Sequence, residues 1–151
     1  MATNDETGPP GMAQLRSADS VEDTYARLKG AVASRELTIF AEIDFARDAA
    51  ALGLSMRPAR LLVFGNPRAG TPLMERSPTV AIDLPLKILV WQGHDGATWV
   101  GYNTPEYLGA RHGLPDSLLQ NLRGVKALAK AAEAPGVESP KQVPPSSSGP
   151  R

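Results

Sequence analysis

Residues 61–91, LLVFGNPRAGTPLMERSPTVAIDLPLKILVW, constrain the fold of this chain more than any other stretch. An apolar run of strand length, 60–64, stops at Gly65, Asn66 and Pro67, and a second run, 86–91, begins just after Asp83, Leu84 and Pro85. Glycine and proline at these places disfavour a continuing strand, so the chain must turn between the two runs. Thr71-Pro72 offers a cap residue followed by proline at the first helical position, where a missing N–H costs nothing, and a helix through about Arg76 is expected. Beyond the second run, residues 93–96 (GHDG) separate it from residues 98–102 as the connector of a β-hairpin.

The flanking segments read in the same way. Residues 12–17 suit a short edge strand. Asp19 or Ser20 can then cap a helix whose apolar positions Val21, Tyr25, Leu28 and Val32 recur at i, i+4, i+7 and i+11. Residues 37–44 (LTIFAEID) form the next strand, with Ile39, Ala41 and Ile43 expected on one face and Thr38, Phe40 and Glu42 on the other. Asp44 caps a short helix over 45–52 that Gly53 ends. Residues 105–111 read as another short helix, and 115–134 as one longer helix with Leu118, Leu122, Val125, Ala129 and Ala132 along a face. Interleaved helices and a hairpin imply an α+β fold: a single compact domain with a mixed or mostly antiparallel sheet packed by helices.

Composition bounds the rest. Of 151 residues, 42% are hydrophobic but only 5% aromatic, so the core must be built from Leu, Val, Ile and Ala. Residues 1–11 and 135–151, rich in Pro, Gly and Ser, bury too little to offset chain entropy and are expected to be disordered tails around a domain at 12–134. Sixteen basic residues balance sixteen acidic ones, which removes a global source of attraction to nucleic acid or to an anionic membrane. Without cysteine there are no disulfides and no thiolate chemistry. No window reaches the about 18 apolar residues of a membrane span. The expectation is a soluble cytoplasmic protein that needs no cofactor.

Four segments, IFAEID, AALGLSMRP, LLVFGNPRAGTPLM and IDLPLKILVW, occur in an order that resembles the DUF302 family over residues 15–114. That resemblance implies a small TT1751-like α+β domain that is dimeric and of unknown function. Related sequences often read Ile-Asp-His where this chain has Ile43-Asp44-Phe45, so no acid–base or metal role carries over to position 45. They also often carry glycine where this chain has Glu36.

Candidate site residues follow from chemistry. The turn from Gly65 to Thr71 leads into a helix N-terminus, where N–H groups and partial positive charge suit a carboxylate or phosphate, assisted by Arg68 and Thr71. The bland alternative is a tight turn in which Asn66 bonds local backbone. Asp83 and Lys87 flank Pro85 in an apolar setting. Asp83 can satisfy loop N–H groups, pair with Lys87 or Arg68, or act as a base. Asp44 can cap a helix or pair with Glu42, which points to the same strand face. His94 and His112 have no partner at metal-ligand spacing, and no metal site is expected. Ser55, Ser77 and Thr79 lack a nucleophile elbow.

Three functions compete on these grounds. The first is a homodimer binding a small molecule, an anionic ligand among the candidates, through Asn66, Arg68, Thr71, Asp83 and Lys87. The second is a small enzyme using Asp83 or Asp44 as general base. The third is a structural, protein-interaction domain whose self-association covers the sheet.

Overall fold

The computed structural model describes residues 8–133. There, β1 (Met12–Ser17), β2 (Thr38–Asp44), β3 (Ala59–Gly65), β4 (Leu86–Gln92) and β5 (Thr98–Asn103) form one sheet in the order β1-β5-β4-β3-β2. Every neighbouring pair is antiparallel, so the sheet takes the antiparallel form of the expected α+β class. The helices are α1 (Val21–Ser34), α2 (Phe45–Ala50), α3 (Pro67–Arg76), α4 (Pro105–His112), α5 (Asp116–Leu119) and α6 (Gly124–Glu133). A 3-10 turn at Pro78–Asp83 joins α3 to β4. The expected tails at 1–7 and 135–151 lie outside the described residues, whereas Pro9 accepts a bond from Met12 N–H in a turn before β1.

Helices α1 and α6 pack on each other and on one face of the sheet. Val21, Tyr25, Leu28 and Val32 point into that layer at the spacing read from the sequence, and Ser20, rather than Asp19, caps the helix by accepting from Asp23 N–H at 3.1 Å. They meet Leu62, Phe64, Ile88, Val90 and Val100 from the sheet, all fully or nearly fully buried. Each such side chain contributes roughly 1.5–3 kcal/mol of apolar burial. A second cluster at the end of the sheet gathers Leu73, Val80, Leu108, Leu114, Leu119 and Leu122 from α3, the 3-10 turn, α4, α5 and the segments that follow α4 and α5.

Three expected elements differ from the structure, each for a local reason. In β2 the register shifts between Ile39, which pairs with Phe64, and Ala41, which pairs with Val63. Phe40 is the extra residue of a β-bulge, so the alternation flips there. Ile39 and Glu42 therefore share the helix-covered face, and Ala41 and Ile43 lie on the other.

Helix α3 begins at Pro67, not after Thr71. Asn66 is its cap, Pro67 takes the first position, and Pro72 sits inside the helix at the cost of one backbone bond. Residues 67–70, expected as a loop, are its first turn.

The helix expected over 115–134 is broken. Leu122, Arg123, Val125 and Lys126 donate to carbonyls three residues back, tightening the chain between α5 and α6. This lets Leu119 and Leu122 enter the end cluster while Val125 and Ala129 enter the main core. Ala134 lies outside the described residues.

Candidate functional site

The turn after β3 and the segment before β4 wall a single recess of about 220 Å³. Gly65, Asn66, Gly70, Thr71 and Met74 form one side, and Ala81, Leu84, Pro85 and Leu86 the other. Phe40 of β2 and Asn121 and Leu122 from the segment between α5 and α6 complete the lining. The bulge matters here, because it frees Phe40 from the alternation of β2 and leaves its ring half exposed at the recess. A side-chain carbon added to Gly65 would lie in ordinary contact with Pro85 at 3.5 Å and Phe40 at 3.6 Å, which places Gly65 where the two walls meet. The Leu84-Pro85 peptide bond is cis.

The recess is predominantly apolar, with Asn66, Thr71 and Asn121 as its polar side chains. Asn121 Nδ2 donates to the Ala69 carbonyl at 3.0 Å, and Asn66 Oδ1 accepts from Arg68 N–H at 2.9 Å. Ala69 and Gly70 N–H also donate to the Asn66 carbonyl. The first-turn donors expected to receive an anion are thus already satisfied by Asn66, as the bland alternative had it. Arg68 is exposed and does not line the recess.

Asp83 and Lys87 also lie off this lining, and they do not pair through their side-chain charges. Lys87 Nζ donates to the carbonyls of Pro85 at 3.2 Å and Asp83 at 3.5 Å. The Asp83 carboxylate binds neither loop N–H groups nor Arg68. It accepts from Arg111 at 3.1 and 3.3 Å and lies 2.6 Å from His112 Nε2. His112 is nearly buried, and its Nδ1 lies 2.9 Å from Thr79 Oγ1. Sequence reading passed over this cluster because Asp83 and His112 are 29 residues apart. Only the packing of α4 on the 3-10 turn brings them together.

Asp44 is the cap of α2, accepting from Arg47 N–H at 3.0 Å, with Arg60 Nε at 3.9 Å. Glu42 does share its face, but it is engaged by the Tyr25 hydroxyl at 2.8 Å and by Lys29 at 3.1 Å. Arg60 stacks on the Tyr25 ring at 4.0 Å and pairs with Glu22 at 2.6 Å. Burial, then the bond to Glu42, pushes the Tyr25 phenol up, so it stays a donor. This charge network fastens α1 to β2 and β3, and Asp44 stands beside it with Glu42, Arg47 and Arg60 at a separate shallow recess. Asn121, Phe40, Thr79 and His112 are the residues that sequence reasoning did not place at a site.

Among the described residues, no helix is long and apolar enough to cross a membrane, and no three acidic or histidine side chains are grouped to hold a metal ion. Curated relatives share 35% identity over 104 residues, or 69% of this chain. They are the fluoride-specific ion channels FluC 1 of Brucella suis and FluC 1 of Brucella abortus, of which the matched region is 41% and 38%. The chain therefore spans about two-fifths of those relatives. The crystal structure of an uncharacterized conserved DUF302 protein from Bacillus stearothermophilus has the same fold, with a TM-score of 0.67 and 17% identity. That match covers 83% of this chain and 97% of the other. The model of the family described as "Domain of unknown function DUF302" matches residues 13–134, and the chain belongs to that family.

Proposed function

We propose that this chain is a homodimeric domain that binds a small, largely apolar molecule in the recess beside α3. The observation that carries this reading is the convergence of the Gly65–Thr71 and Ala81–Leu86 segments on one apolar cavity with a few polar groups, the usual character of a ligand site. At about 220 Å³ the cavity is below the range of about 300–1,000 Å³ for drug-sized ligands, which favours a smaller molecule. Its polar or anionic end faces Asn66, Thr71 and Asn121, and Arg68 in the same helical turn supplies positive charge nearby. Asp83 and Lys87 have no part in this site.

Self-association is supported by the sheet face that α1 and α6 leave uncovered. Ile43, Leu61, Val63, Leu89 and Trp91 stand on it partly buried, with Lys87 beside Val63, and a second copy would cover these apolar side chains further. A cytoplasmic setting belongs to the same reading. Ion conduction does not enter it, since the channel name belongs to proteins much longer than the matched region.

Gly70→Leu tests the site. A β-carbon at Gly70 would sit 3.9 Å from Leu84 and Met74, so a leucine there fills the recess without a backbone clash. In a thermal-shift screen of small aliphatic and aromatic carboxylic acids, a binder at a hundredfold excess over its Kd stabilises the native protein by about 2.7 kcal/mol, and Gly70→Leu is expected to abolish the shift. Shifts that persist in Gly70→Leu contradict the site.

A further inference from the structure

Outside that recess, beyond the binding role, we propose that Thr79, His112 and Asp83 form a hydrolytic site for small esters, with Thr79 as the nucleophile. The three side chains make one continuous chain of hydrogen bonds, Thr79 Oγ1 to His112 Nδ1 at 2.9 Å and His112 Nε2 to Asp83 Oδ2 at 2.6 Å. A carboxylate only accepts, so Nε2 carries the imidazole proton. With the proton on Nε2, Nδ1 is the nitrogen that can accept, and the Thr79 hydroxyl is placed to donate to it. This is the polarity of a nucleophile–base–carboxylate triad, with the two ring nitrogens exchanged relative to the serine-protease arrangement.

The surroundings support chemistry more than a purely structural bond. His112 is 5% exposed and Asp83 14%, so the base and its orienting carboxylate are held in place, while Thr79 is exposed. Thr79, His112 and Arg111 line a shallow recess with Pro78, Ala81 and Ile82. Arg111 spends one nitrogen on Asp83 and stays half exposed, which leaves its other N–H groups for the oxygen that becomes negative during attack. Ile82, 71% exposed, gives an apolar acyl group a surface to lie on. Ala81 lines this recess and the α3 recess from opposite sides of the 3-10 turn.

The steps balance without a further reactant. Thr79 Oγ bonds to the ester carbonyl carbon as its proton passes to His112 Nδ1, and the carbonyl electron pair moves onto oxygen beside Arg111. Collapse breaks the bond to the alkoxide, which takes the proton from Nδ1 and leaves as the alcohol. Water then attacks the acyl-threonine, giving its proton to Nδ1. Thr79 Oγ departs with that proton, and a carboxylic acid is released.

The full chain incubated with p-nitrophenyl acetate and mapped by peptide mass spectrometry tests this. One acetyl group is expected on the peptide bearing Thr79. It should be absent in Thr79→Val and retained in Thr79→Ser. Its rate of formation should fall about 10²-fold or more in His112→Gln and Asp83→Asn, the scale of general-base catalysis. His94→Ala, whose imidazole lies against Arg57, should leave it unchanged. No acetyl on Thr79 together with p-nitrophenolate release no faster than in Thr79→Val, or acetylation of Thr79 at an undiminished rate in folded His112→Gln, overturns the proposal. Thr79→Val alters an exposed position and keeps the test open should a variant at His112 or Asp83 fail to fold.

Discussion

The side-chain amide of Asn121 donates to the backbone carbonyl of Ala69 at 3.0 Å, joining the tightened turn before α6 to the first turns of α3. These residues are 52 positions apart, and their bond holds that part of the recess lining in place. Asn121→Ala removes a half-buried hydrogen bond worth about 1 kcal/mol. The expected outcome is a loss of about that size in urea unfolding, together with weaker ligand-induced stabilisation. A variant of unchanged stability and binding would show that the bond closes nothing.

Glu36 has φ of 58°, in the left-handed region where L side chains are strained. It ends α1 in the same way that Gly53 ends α2. Glu36 N–H donates to Ala33 and Leu37 N–H to Val32, just as Gly53 donates to Ala50 and Leu54 to Ala49. The conformation costs a non-glycine residue roughly 1–2 kcal/mol, and glycine returns roughly 0.5–1 kcal/mol of that through its freedom in the unfolded chain. Glu36→Gly should therefore raise stability by about 0.5–1 kcal/mol, and Glu36→Val should lower it, as read from denaturation midpoints. The reverse order would contradict the strain.

Glu42 carries a pH dependence. A hydrogen bond from Tyr25 and then the Lys29 ammonium hold its carboxyl below the usual glutamate range. A carboxyl with a lowered folded-state pKa stabilises fully above its unfolded value of about 4.3, and that contribution disappears as pH falls through the folded-state value. The stability difference between wild type and Glu42→Gln should thus be constant near neutrality and shrink below about pH 4. A difference that grows on acidification would reverse the sign of the argument.

Leu62 and Leu52 separate core from surface. Leu62 is fully buried between the sheet and α1, whereas Leu52 is 78% exposed. Leu62→Ala should cost about 2–5 kcal/mol and Leu52→Ser less than about 0.5 kcal/mol in chemical denaturation. Comparable losses would mean that Leu52 is covered in solution by a second surface.

Local patterns carried much of this fold into the sequence. The α1 stripe from Val21 to Val32, the hairpin around residues 93–96 and the caps at Ser20 and Asp44 depend on neighbours within a few residues, and such signals survive in the chain order. The β2 bulge did not show itself, because strict alternation of Ile39, Ala41 and Ile43 gives no sign of an unpaired residue. Asn66 caps α3 although Thr71-Pro72 is the stronger local pattern, since Asn66-Pro67 satisfies the same rule five residues earlier. The recess was half legible. Its Gly65–Thr71 and Leu84–Pro85 walls were read from punctuation, but Phe40 and Asn121 arrive from distant segments. The Asp83–His112 contact was likewise hidden by sequence separation.

A nuclear magnetic resonance titration of the uniformly nitrogen-15-labelled chain with the best small carboxylic acid from the screen is the most direct test of the binding account. Amide shifts concentrated on Gly65, Asn66, Gly70, Thr71 and Leu84, and lost in Gly70→Leu, are the expected result. Shifts confined to the open sheet face, or unchanged when Gly70 becomes leucine, would contradict it.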